Sequence, residues 1–237
     1  MSETLQTPAR PWNRPRPPRV AGVLLIVAAI LWFCLEALAA SRFRPRYSYA
    51  HNYISDLGVP DPGTFEGRAM DSPLSAVANF MFLSQGILFL VAAILLTRAI
   101  APSASRRAFL LLAIGYAIGF TLIATFHGSE QAAANGTGKF HVLGGAIAAI
   151  SGNVALIVAG LYLRKFRGHN IFGVFTVTAG VVGILSLVLL MIDRSSTSIN
   201  LLPDGTWERG GCYPILVWEF VTGVLLLRGS ASNMSNS

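Results

Sequence analysis

Between residues 47 and 60 the chain reads YSYAHNYISDLGVP, and there His51, Asn52, Ser55 and Asp56 set an imidazole, an amide, a hydroxyl and a carboxyl close together. Two further histidines, His127 and His141, are separated by a short polar loop. With His51 or Asp56 they would supply three or four nitrogen and oxygen ligands, a set that suits zinc with one open coordination position. Zinc-bound water is deprotonated near neutral pH and would hydrolyse a lipid amide or ester. The spacing is loop-based and lacks the His-x3-His repeat of a helical metal site. Paired histidines would also serve haem. A second grouping takes Asn52, Ser55 and Asp56 with His141 and with Glu208 and Arg209 near the C-terminus. It would bind a small polar molecule or a lipid headgroup. Against both stands the plain structural role of Ser55 or Asp56 as the cap of a local turn. Glu219 is a separate case, a carboxyl placed well inside an apolar run.

The elements that must position these residues are membrane spans. Hydrophobic residues make up 53% of the 237 and charged residues 12%, with a mean hydropathy of +0.58; soluble domains carry about 25% charged residues. Apolar runs long enough to cross a hydrocarbon core of about 30 Å as helix recur six times. They lie near 20–40, 74–96, 108–126, 140–163, 171–192 and 213–227. The fold class expected is therefore all-α, a polytopic bundle of six transmembrane helices. Its one long loop is the polar one between the first and second spans. Asp71-Ser72-Pro73 reads as the cap and first turn of the second span. Gly144, Ala148 and Gly152 place small residues on one face of the fourth, where helices approach closely in lipid. Asn79, Gln85 and Asn153 are expected as interhelical hydrogen-bonding groups.

Arg98, Arg106, Arg107, Arg164, Lys165 and Arg167 fall in the short loops that share a side with both termini. The excess of Lys and Arg places that side in the cytoplasm. The expected location is the cell (inner) membrane, multi-pass, with both termini cytoplasmic and the ionisable groups of the long loop facing outward. Residues 1–19, rich in Pro and Arg, read as a disordered cytoplasmic tail, 20–228 as the transmembrane domain and 229–237 as a second tail. The first span reads as a retained anchor, not a cleaved signal. The net charge of +7 is accounted for by these loops, so no nucleic-acid partner is expected. The expected partners are the lipid bilayer and a lipid or small-molecule ligand. Cys34 and Cys212 are expected as free thiols, with a pairing geometrically open.

An intramembrane carboxylate such as Glu219 costs about 2.5–3.5 kcal/mol on insertion scales and faces the bundle interior. It is expected to be protonated and hydrogen-bonded, paired with Arg209 or Arg194, or part of a proton path.

Asn52-Tyr53-Ile54-Ser55-Asp56-Leu57-Gly58 after the first span resembles a signature of the membrane family known as domain of unknown function 998. Asn79 and Gly86, His141 with Gly144-Gly145-Ala146, Gly205-Thr206-Trp207-Glu208-Arg209 and Trp218 resemble it too. The resemblance covers residues 20–228 and implies a compact bundle of six helices with no agreed activity. Phe126-His127 departs from the apolar Phe-Pro expected there, which sets His127 apart from the family pattern. Three functions remain open at this point: an outer-face binding site, a metal-dependent lipid hydrolase, and a small proton-coupled transporter or export component using Glu219.

Overall fold

The computed structural model describes residues 18–166, 169–195 and 201–234, with side chains as far as Gly229. The segment expected as an N-terminal tail falls almost wholly outside them. Six long helices are apolar enough to cross a membrane: α1 (Arg19–Arg42), α2 (Ser75–Arg98), α3 (Ala104–Thr125), α5 (Gly138–Leu163), α6 (Asn170–Ser195) and α7 (Asp204–Met234). A short helix, α4 (Glu130–Ala134), bridges α3 and α5. The last helix starts well before the apolar run near Tyr213 and continues past it. Its first turns carry Asp204, Glu208 and Arg209, and Pro214 lies inside it. The extra length is polar helix, which a search for apolar residues passes over.

The helices form a ring in chain order. Helix α1 packs on α2, α2 on α3, α3 on α5, α5 on α6, α6 on α7, and α7 returns to α1. A lesser contact between α5 and α7 crosses the middle. Lipid tails are as apolar as leucine, so close packing holds such a ring more than apolar burial does. Helices α3 and α5 approach closely. A Cβ added at Gly144 would stand 2.7 Å from the Leu122 Cβ, and one at Gly119 would stand 2.7 Å from the Ala148 Cα. At the α1–α7 seam, a Cβ at Gly22 would lie 3.0 Å from the Gly223 carbonyl oxygen. Aromatic rings fill the centre: Trp32 meets Phe82 and Phe120 edge-on at 5.6 and 5.4 Å, and Phe89 meets Tyr116 at 4.7 Å. The outward faces are apolar as well (Ile30, Ile87, Leu111, Leu185 and Met191 among them), as lipid requires.

The loop between α1 and α2 is a folded cap. It contains a 3-10 turn, Ile54–Gly58, and a hairpin of β1 (Gly63–Phe65) and β2 (Arg68–Met70) in the register Gly63↔Met70. The hairpin turns at Glu66 and Gly67, both with positive φ (48° and 76°), the pairing that a two-residue turn of right-handed twist demands. Ser72 does not cap α2 with its side chain; its hydroxyl donates to the Leu57 carbonyl at 2.6 Å and ties the 3-10 turn to the start of the helix.

Candidate functional site

The cap is held by two buried ion pairs and the hydrogen bonds around them. Asp56, 2% exposed, sits in the 3-10 turn and accepts at Oδ2 from the Tyr53 backbone N–H, the Asn52 amide and Arg68 Nε, each at 3.1 Å. The capping role and the ionic role are thus combined in one carboxylate. Asn52 in turn accepts at Oδ1 from the Ser48 backbone N–H at 3.0 Å. Arg68 lies over the Tyr53 ring, 4.5 Å from its centroid. Burial works against the Arg68 charge, but the Asp56 carboxylate outweighs it and leaves the guanidinium harder to deprotonate than usual. Ser55 is half-buried and outside this network.

The second pair spans the ring. Glu36 of α1 accepts from Arg209 of α7 (Nη2 to Oε1, 2.9 Å), from the Tyr213 hydroxyl at 3.1 Å and from Trp32 Nε1 at 3.0 Å. Arg209 also donates to the Tyr47 hydroxyl (2.5 Å) and to the carbonyls of Tyr49, Asn52 and Gly205 (2.6, 3.0 and 3.0 Å). The three carbonyls share the two hydrogens of Nη1, and Nε donates to the Tyr213 hydroxyl at 3.2 Å, so all five N–H donors of the guanidinium are used. Tyr47, whose phenol burial pushes up against the pull of Arg209, passes its own hydrogen to the Tyr53 carbonyl at 2.9 Å.

The stretches 52–58 and 205–209 are two sides of one contact. Gly205 leaves room for the loop: a Cβ there would stand 2.8 Å from the Ala50 carbonyl oxygen. Thr206 N donates to that same oxygen at 3.0 Å. Trp207 Nε1 donates to Asp193 of α6 at 2.7 Å. Glu208 accepts from the Ile54 backbone N–H, and Arg209 clamps the loop carbonyls. Asp204 accepts from the Tyr53 hydroxyl at 2.7 Å, and Arg194 donates to that hydroxyl at 2.9 Å and to Glu66 at 2.7 Å.

The four residues expected to share a metal are not brought into one ligand set. His51 is exposed and pairs with Ser48 at 3.1 Å. Asp56 is turned to Arg68. The Asn79 amide donates to Gly58 O and reaches His127 Nε2 at 3.3 Å, while His141 donates from Nδ1 to the Phe126 carbonyl at 2.8 Å. Among the described residues no group of three or more His, Cys, Asp or Glu is placed to hold a metal ion. Asp56 is buried with its carboxylate turned to Arg68 and to neighbours in its own loop, and not across the cap. Arg209 does not meet Asp56 either, because Glu36 is closer along its own helix seam. His141 stands apart from both. Cys34 and Cys212 are free thiols.

Sequence reasoning missed Arg68, Tyr47, Tyr213 and Asp193 as partners. The signal for the Glu36–Arg209 pair was available in the presence of one acid inside the first span and one arginine at the head of the last.

One cavity lies between two spans and another borders the cap. One, of about 440 Å³, is a groove between α6 and α7 with apolar walls (Phe175, Ala179, Val182, Pro214, Val217) below Arg209 and Tyr213. The other, of about 290 Å³, lies between the hairpin and α4 and is lined by Asp61, Thr64, Met70, Ser129, Glu130 and Gln131 together with small residues.

Ring and cap together define a multi-pass membrane protein with an all-α transmembrane bundle, which makes the lipid bilayer its solvent. The chain matches the family described as "Protein of unknown function (DUF998)" over residues 26–225, and it belongs to that family. No curated protein and no solved structure matches it.

Proposed function

We propose that the chain resides in the cell membrane with both termini in the cytoplasm and the cap outward, and that the cap binds a small polar molecule or a lipid headgroup. The basic loops support that orientation. Recognition falls in the cavity between the hairpin and α4, and not on Asp56, Arg209 or His141. The first two are buried and engaged in ion pairs within the cap, and the third donates from Nδ1 to the Phe126 carbonyl. The carrying observation is that cavity of about 290 Å³, which has Asp61 and Glu130 in its lining and no Lys or Arg. A pocket so charged suits an organic ammonium, with Thr64, Ser129 and Gln131 to orient polar substituents.

Thermal unfolding and calorimetry of the full chain in nanodiscs test this, with choline and ethanolamine as free probes and phosphatidylcholine against phosphatidylglycerol as the bilayer. The expected result is saturable binding of one probe, weakened about tenfold, or about 1.4 kcal/mol, in the Asp61→Asn/Glu130→Gln double variant. A response to the bilayer lipid alone assigns the headgroup as ligand. Absence of any response to free probe or lipid, or equal binding by the double variant, overturns the reading.

A further inference from the structure

Away from the cap, the middle of the bundle holds a second polar site. Glu219 of α7 is 0% exposed, Gln85 of α2 is 1% and Tyr116 of α3 is 2%. Gln85 Nε2 donates to Glu219 Oε1 at 2.6 Å and to the Tyr116 hydroxyl at 3.2 Å, which uses both hydrogens of its amide nitrogen. Glu219 Oε2, Gln85 Oε1 and Thr222 Oγ1 are buried and, among the described residues, have no hydrogen-bond partner. Orphan polar atoms in a lipid-embedded core are costly, because no water is there to satisfy them.

Among the described residues no ion pair joins a cation to Glu219. The charged groups of the helices packed around α7 stand toward the helix ends and are engaged there. Glu36 of α1 holds Arg209, Asp193 of α6 holds Trp207, and Arg194 holds Glu66. On α5, His141 donates to Phe126, and Lys139 lies over the Phe140 ring. Arg98 of α2 and Arg106 of α3 lie at the opposite ends of their helices. The titratable group that faces Glu219 is Tyr116.

The pattern of orphans is informative. One oxygen of the carboxyl already accepts from the amide nitrogen, and the two oxygens left over on those same groups are both buried acceptors without a partner. A single proton on Glu219 Oε2, donated to Gln85 Oε1, satisfies both at once and closes an eight-membered acid–amide ring. A carboxylate would leave both oxygens unsatisfied. We propose that Glu219 and Gln85 form a proton-binding site at the centre of the bundle, in which the ligand is one proton held between the carboxyl and the amide. Tyr116 fixes the amide plane from the far side, and the Thr222 hydroxyl extends the polar site by one helical turn.

Infrared difference spectroscopy of the full chain in nanodiscs tests it. The expected result is a neutral carboxylic acid C=O band at neutral pH that is lost in Glu219→Gln. In Gln85→Leu the band should survive but move to the position of an acid without an amide partner. Glu219→Gln should keep the wild-type unfolding temperature, because an amide–amide pair repeats both bonds, whereas Glu219→Ala should lower it by several degrees. If Glu219→Gln fails to fold, the shift in Gln85→Leu decides alone. The proposal is overturned if wild type lacks the band, or if Gln85→Leu leaves the band unmoved. It is equally overturned if stability depends on Na⁺ or K⁺ against isosmotic sucrose in wild type and not in Glu219→Gln, which would make the occupant a metal cation.

Discussion

Protonation of His127 would set an imidazole N–H against the N–H of Asn79, which reaches Nε2 at 3.3 Å. Burial pushes the His127 pKa down, with Asp61 pulling the other way, so the folded protein favours the neutral ring more than the unfolded chain does. The unfolded chain takes up its proton nearer the ordinary value, about 6.5. A group of depressed pKa contributes stability above its unfolded value and loses it as pH falls through the folded one. Unfolding temperature should therefore drop between pH 7 and 5 more steeply in wild type than in His127→Gln, whose amide oxygen accepts from Asn79 at either pH. Parallel slopes would remove His127 from the account. At this scale the sequence was a partial guide. Asp56 and Arg209 stood out by type and position, and both anchor the cap. Their partners did not stand out, because a pair such as Asp56–Arg68 is set by a hairpin whose two short strands carry almost no hydrophobic pattern.

Among the elements, α3 and α5 depend on having no side chain at their seam. Gly144→Leu should lower stability by about 1–3 kcal/mol or more, since the Cβ alone meets Leu122 and the Gly119 carbonyl. Gly145, with nothing within 4 Å of an added Cβ, should accept Ala without loss. Unfolding of the two variants in one detergent checks both; equal losses would mean that the seam is not the sensitive surface. The face of Gly144, Ala148 and Gly152 was legible because small residues at every fourth position have one main use in lipid. The head of α7 was not. Its Asp, Glu and Arg look like loop, yet they form helix because the cap supplies their partners: Tyr53, the Ile54 N–H and the loop carbonyls.

For the whole molecule, six spans followed from length and hydropathy alone, while the closure of the ring did not, because nothing in a sequence states which helices are neighbours beyond the short loops. Orientation is open to a direct test. In a chain with Cys34 and Cys212 replaced by Ala, Thr64→Cys in the hairpin should react in whole cells with a membrane-impermeant maleimide. Ala101→Cys, between α2 and α3, should react only after lysis. The reverse pattern would invert the assignment and place the acidic cavity in the cytoplasm.

Ring closure also imposes a schedule on synthesis. Glu36 and the arginine that holds it are 173 residues apart, so at about 5–20 residues per second the acid emerges roughly 9–35 s before its partner exists. Through that interval the first span carries a carboxyl with no cation to meet it. Its place near the end of α1, short of Arg42, leaves it within reach of the headgroup region, where it can wait in water until α7 arrives and draws it into the bundle.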